Sequence, residues 1–111
     1  MPVLTPQQLE DTLADVVSRL RAALAPTAIY LFGSYVYGEP HSASDLDFLV
    51  VVPDSPLNPY ERDALAYRAL GGRCMPMDVQ VYTQAEFEQR AALPVSFERT
   101  VKMKGRLLYA A

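Results

Sequence analysis

The run Leu46-Asp47-Phe48-Leu49-Val50-Val51-Val52 constrains this chain more than any other stretch. Six apolar residues in a run of seven, rich in β-branched side chains, read as a strand covered on both faces. Such a strand needs a sheet with helices packed against it. One residue breaks the pattern: Asp47, with Asp45 two positions earlier at the strand entrance. An unpaired carboxylate inside an apolar run is costly to bury. Side chains alternate along a strand, so Asp45 and Asp47 share one face and Leu46 points the other way, into the core.

The flanking segments supply the rest of the sheet and its cover. Thr5, Pro6 and Gln8 make a helix start with a capping box, and Leu9, Leu13, Val16, Val17, Leu20 and Leu24 recur at helical steps, so residues 6–25 form an amphipathic helix stopped by Pro26. Ala28 to Phe32 is a short buried strand ended by Gly33, and residues 34–38 make a single helical turn before a loop to Ser44. Asn58, Pro59 and Glu61 open a helix that runs to about Leu70 and ends at Gly71-Gly72. Met75 to Tyr82 is a third strand with Asp78 at its centre. Val79 and Val81 lie on one of its faces, and Asp78, Gln80 and Tyr82 on the other. Thr83 and Glu86 cap a short helix through Ala92, Pro94 starts one more helix closed by Gly105, and Arg106 to Tyr109 forms a final edge strand. Helices and strands alternate, which indicates an α+β fold built on a small sheet flanked by helices.

Composition limits the function classes. With 111 residues the chain is expected to be one domain, 1–111, large enough for a core without staples. A net charge of −3 argues against broad nucleic-acid binding, which relies on Lys and Arg neutralising phosphates. Cys74 is the only cysteine, so no internal disulfide forms. The first residues lack a basic and apolar leader, and no apolar run reaches the length of a membrane span, so a cytoplasmic location is expected.

The candidate site lies where these elements meet. Two close carboxylates repel unless a cation lies between them. Hard oxygen ligands suit Mg²⁺, which takes one or two carboxylates and completes its shell with phosphate and water oxygens. Gly33 lets a phosphate approach the backbone, Ser34 adds a hydroxyl donor, and the helical turn that follows directs N–H groups at an anion. If Asp78 arrives from a neighbouring strand on the same face, three carboxylates can hold two metals for an in-line displacement, with Asp78 nearest the attacking hydroxyl.

Gly33-Ser34, ten residues, then Asp45-Leu46-Asp47 and an Asp in a later apolar strand resembles the DNA polymerase β-like nucleotidyltransferase superfamily. The short length and the stretches Pro94-Val95-Ser96-Phe97 and Gly105-Arg106-Leu107-Leu108-Tyr109 resemble its minimal nucleotidyltransferase (MNT) branch. The resemblance implies a small mixed sheet flanked by helices, and transfer of a nucleoside monophosphate, AMP from ATP, to a hydroxyl with release of pyrophosphate. It implies that Asp45 and Asp47 bind two Mg²⁺ ions, that Asp78 binds the catalytic one, and that Gly33 and Ser34 bind the triphosphate. It also implies an antitoxin that adenylylates and neutralises a HEPN-type ribonuclease toxin. Larger relatives carry a helical domain that completes the acceptor pocket, for which this chain has no room. The acceptor surface is therefore expected from a partner protein or a second copy, in a homo- or hetero-oligomer.

Two rivals remain open: a non-catalytic antitoxin acting by occlusion, and a nucleotidyltransferase acting on an antibiotic-type small molecule. Other residues have plainer readings. His41 is expected as an exposed loop histidine and Cys74 as a small buried thiol. Tyr35 and Tyr37 either stack on a base or pack. Arg62, Arg68 and Arg73 are expected on a solvated face, and Arg99, Lys102, Lys104 and Arg106 complement the end of the last helix.

Overall fold

The computed structural model describes residues 3–41, 44–71 and 76–111. The elements follow in the order α1 (Pro6–Leu24), β1 (Ala28–Phe32), α2 (Ser34–Tyr37), β2 (Leu46–Val52), α3 (Pro59–Leu70), β3 (Met77–Thr83), α4 (Gln84–Ala91), α5 (Phe97–Lys104) and β4 (Arg106–Ala110). The four strands form one mixed sheet in the order β3-β2-β1-β4, with β2 and β3 parallel and the other two pairs antiparallel. None of the described helices is long and apolar enough to cross a membrane.

Local chemistry sets most boundaries. Thr5 and Gln8, Asn58 and Glu61, and Thr83 and Glu86 each form a reciprocal capping box, so α1, α3 and α4 begin where the sequence places them. α1 ends at Leu24, and Ala25 adopts the left-handed conformation (φ 48°) ahead of Pro26. α5 begins later than expected. Leu93 to Val95 form a turn, and the helix starts at Phe97 because the Ser96 hydroxyl accepts the Arg99 N–H at 3.0 Å. α4 ends one residue early, at Ala91. β3 begins at Met77 and continues to Thr83, one residue beyond the expected end. Gly72, Arg73, Cys74 and Met75, and with them the expected strand start and the readings of Arg73 and Cys74, lie outside the described residues.

The two-faced burial of β2 is realised. Leu46, Phe48, Val50 and Val52 pack with Leu13, Val16 and Leu20 of α1 and Ala66 and Leu70 of α3. Leu49 and Val51 pack on the opposite face with Phe87 of α4 and Val101 of α5. Burying a side chain the size of Phe48 contributes about 1.5–3 kcal/mol, so this strand alone accounts for much of the drive to fold. Asp47 is the one β2 residue that is not fully buried.

Arg62 departs from expectation. Its side chain is buried, at 3% exposure, and not on a solvated face. It pairs with Glu86 of α4 at 3.0 Å and so ties α3 to α4 across the sheet edge, while its Nε has no hydrogen-bond partner among the described residues. Arg106 in turn forms two hydrogen bonds to Glu10 of α1 and fastens β4 to the first helix. Tyr35 is a packing residue: it lies against the α1 side of the core, and its hydroxyl accepts the Leu4 N–H at 3.4 Å.

Candidate active site

β1 runs opposite to β2 and β3, so its C-terminal end lies beside their N-terminal ends. The register there places Asp47 opposite Phe32 on one side and Asp78 on the other. Adjacent strands lie about 4.8 Å apart. Two carboxylates are therefore held side by side on the same sheet face, the face covered further along by α4 and α5. Asp45 is exposed and immediately precedes β2. The loop before it is pinned by Ser44, which is buried: its hydroxyl accepts the His41 N–H at 2.9 Å and its own N–H donates to the His41 carbonyl at 2.9 Å. His41 itself is exposed, as expected.

Gly33 follows Phe32 directly and has φ 85° and ψ −159°, a conformation that L side chains rarely adopt. A Cβ at this position would overlap Oδ2 of Asp47. The turn therefore lies flat against the carboxylate, and only glycine permits that approach. Ser34 opens α2, a single turn closed by the N–H groups of Val36 and Tyr37 on the Gly33 carbonyl at 3.0 and 3.1 Å.

Burial pushes the Asp47 carboxyl up to about 6, with the neighbouring charges of Asp78 and then Asp45 adding to the effect. Asp78 is held from outside the sheet. The Tyr67 hydroxyl donates to its Oδ1 at 2.7 Å and accepts the Val79 N–H at 3.0 Å. Asp63, one turn earlier on α3, accepts the Val81 N–H at 2.8 Å. Burial raises the Tyr67 phenol and the Asp63 carboxyl above their ordinary values.

The sequence reading anticipated three converging carboxylates. The structure brings Asp45, Asp47 and Asp78 to one end of the sheet, but among the described residues no three metal-ligating side chains are gathered into a ready cage. Asp78 is engaged there by the Tyr67 hydroxyl. The donor set nonetheless fits Mg²⁺, which needs only one or two carboxylates when phosphate and water oxygens complete its shell. Tyr67 and Asp63 were missed by sequence reasoning. Their spacing of four places them on one helix face, but nothing local to that helix indicates which strand they meet.

Two further surfaces border the sheet. Along β3 beyond Asp78 lies a cleft of about 470 Å³ lined by Gln80, Tyr82, Arg62, Glu86, Arg90 and Glu98, among others; Asp47 and Asp78 do not line it. Inside it the Tyr82 hydroxyl donates to Glu98 Oε2 at 2.7 Å, and burial followed by the Glu98 carboxylate pushes that phenol far above its ordinary value. On the other side, Phe97 meets the Phe32 ring edge-to-face at 5.1 Å, and the turn leading to it exposes Leu93 and Val95.

The family model described as "Nucleotidyltransferase domain" matches residues 10–108. Comparison with curated proteins gives no match. Among solved structures, a Sulfolobus solfataricus protein assigned as a nucleotidyltransferase is 22% identical, over 92% of this chain and 86% of that one, with a TM-score of 0.62; the likeness is one of fold. A toxin–antitoxin structure with AMP-PNP is 25% identical over 89% of this chain and 73% of that one, with a TM-score of 0.56. A spectinomycin adenyltransferase from Enterococcus faecialis, solved with ATP and spectinomycin, is 25% identical with a TM-score of 0.56. It is matched over 70% of this chain, which spans 35% of that one.

Proposed function

The chain belongs to the nucleotidyltransferase domain family, and on that premise we propose that it transfers AMP from ATP to a hydroxyl of a partner protein, as the antitoxin that adenylylates a HEPN-type toxin. The observation that carries this reading is the register Phe32–Asp47–Asp78 with Gly33 lying against Asp47. It sets a turn able to admit phosphate beside carboxylates able to hold its counter-ions.

In this reading Gly33 and Ser34 hold the triphosphate, the first by giving it access to the backbone and the second by donating a hydrogen bond. Asp45, Asp47 and Asp78 would hold two Mg²⁺ ions, which supply the charge neutralisation that phosphoryl transfer requires. Asp78 takes the proton of the acceptor hydroxyl as that oxygen attacks the α-phosphorus. The bond from the α-phosphorus to the bridging oxygen breaks, and pyrophosphate leaves with its electron pair. The toxin–antitoxin structure with AMP-PNP supports a protein acceptor, as does the apolar turn of Leu93 and Val95 beside Phe97, which suits a protein surface better than a polar metabolite.

The test is label transfer from ATP carrying a radioactive α-phosphate to a co-expressed toxin. Wild type is expected to label it, while Asp45→Ala and Asp47→Ala are not. Full labelling by both variants overturns the mechanism. The likeness to the spectinomycin adenyltransferase, solved with ATP and spectinomycin, favours a second reading, a small hydroxyl compound as acceptor. Mass spectrometry finding a nucleotide-modified metabolite and no modified protein would select it.

A further inference from the structure

Among the described residues β3 is an edge strand, with β2 on one side and no strand on the other. Asp78 is its second residue, so sheet pairing holds that carboxylate from one side only. Helix α3 supplies the other side. The Val79 N–H can only donate and a phenol has a single hydrogen, so the direction of both bonds at Tyr67 is decided: the hydroxyl accepts from Val79 at 3.0 Å and donates to Asp78 Oδ1 at 2.7 Å. Bonds in series polarise one another, so the amide strengthens the donation to the carboxylate. Asp63 grips the Val81 N–H at 2.8 Å, a second anchor between the same helix and the same strand. Together these two side chains stand in for a missing fifth strand at this edge.

We infer that Tyr67 is a positioning residue for the transfer reaction, acting through Asp78. It fixes one carboxylate oxygen so that the other takes the acceptor's proton. The inference rests on the function proposed above, in which Asp78 is the base. Tyr67 is itself 42% exposed, so its ring adds little to the core, whereas its hydroxyl makes two directed bonds at the reacting end of the sheet. Small displacements of a catalytic group are costly in rate, since a shift of about 1 Å can lose about a hundredfold.

The experiment compares Tyr67→Phe with Asp63→Ala. Tyr67→Phe keeps the ring and removes both bonds. It is expected to lower kcat about tenfold and leave KM for ATP unchanged, because Gly33 and Ser34 still hold the nucleotide. It is also expected to move the ¹³C signal of the Asp78 carboxyl, identified by its loss in Asp78→Asn. Asp63→Ala removes the other anchor without touching Asp78, so it is expected to lower the melting temperature and leave kcat as it was. A Tyr67→Phe variant with wild-type kcat, or an unmoved Asp78 signal, overturns the inference while wild-type transfer stands. An equal loss of kcat in Asp63→Ala reduces Tyr67 to a structural anchor and overturns it too. A wild type that transfers nothing defeats the proposed function itself, and the catalytic purpose of Tyr67 falls with it.

Discussion

Replacing Gly33 by alanine tests the link between backbone and site most sharply. Gly33 has φ 85° and ψ −159°, a region essentially confined to glycine, and holding another residue there costs about 1–3 kcal/mol. The new Cβ would also lie 3.2 Å from Cγ of Asp47 and overlap its Oδ2, so the carboxylate must turn away. Forcing a side chain off its rotamer adds about 0.5–1.5 kcal/mol. The two costs together come to about 2–4 kcal/mol. In a domain of this size that lowers the melting temperature by about 10–20 °C. Since the displaced group is Asp47, transfer is expected to fall by about a hundredfold or more even where the protein remains folded. Gly71 provides the control. Its φ is 65° and ψ −157°, yet a Cβ there meets nothing within 4 Å, so Gly71→Ala incurs only the same backbone cost of about 1–3 kcal/mol and leaves transfer intact. The measurements are thermal denaturation followed by circular dichroism and label transfer from ATP. A Gly33→Ala protein that melts and transfers like wild type refutes the reasoning.

Two other outcomes follow from the same geometry. The folded-state pKa of Asp47, about 6, lies above the ordinary 3.8, so its contribution to stability is fully present below about pH 4 and is lost as pH rises through about 6. Allowing for solvent screening of this half-exposed group, the loss is about 1–2 kcal/mol, read as a pH-dependent difference in urea denaturation between wild type and Asp47→Asn; Mg²⁺ with nucleotide should abolish it, and a wild type that gains stability over that window relative to the variant contradicts the assignment. Ser96→Ala removes the N-cap of α5 and is expected to cost about 1 kcal/mol in the same denaturation assay, with faster hydrogen exchange confined to the first turn of that helix.

Much of the fold was legible because its signals are local. The three capping boxes at Thr5, Asn58 and Thr83 lie within four-residue windows, and the apolar run of β2 announces its own two-sided burial. Ser96 was also a local signal, but Pro94 competed with it as a helix start, and the hydroxyl bond to Arg99 decided the boundary. What could not be read depends on pairs distant in sequence. Arg62 looked solvated because its partner, Glu86, lies 24 residues away on another helix. Tyr67 had no visible purpose until β3 docked beside α3. The site shows the same division. Gly33, Asp45, Asp47 and Asp78 were proposed from type and spacing, whereas the parallel register that sets Asp47 beside Asp78 is a property of the sheet.

The central claim is that Asp47 is kept at a cost to the fold because it holds the counter-ions of a nucleotide. Thermal denaturation of wild type and Asp47→Asn, each with and without Mg²⁺ and a non-hydrolysable ATP analogue, tests it directly. Without ligand the variant is expected to melt about 5 °C higher, since the burial of charge that raises the Asp47 pKa, and with it the repulsion from Asp78 and Asp45, is gone. With ligand, wild type is expected to gain stability only when Mg²⁺ is present, and the variant to gain none. A variant that melts lower than wild type, yet gains as much from the Mg²⁺–nucleotide complex, would contradict the claim.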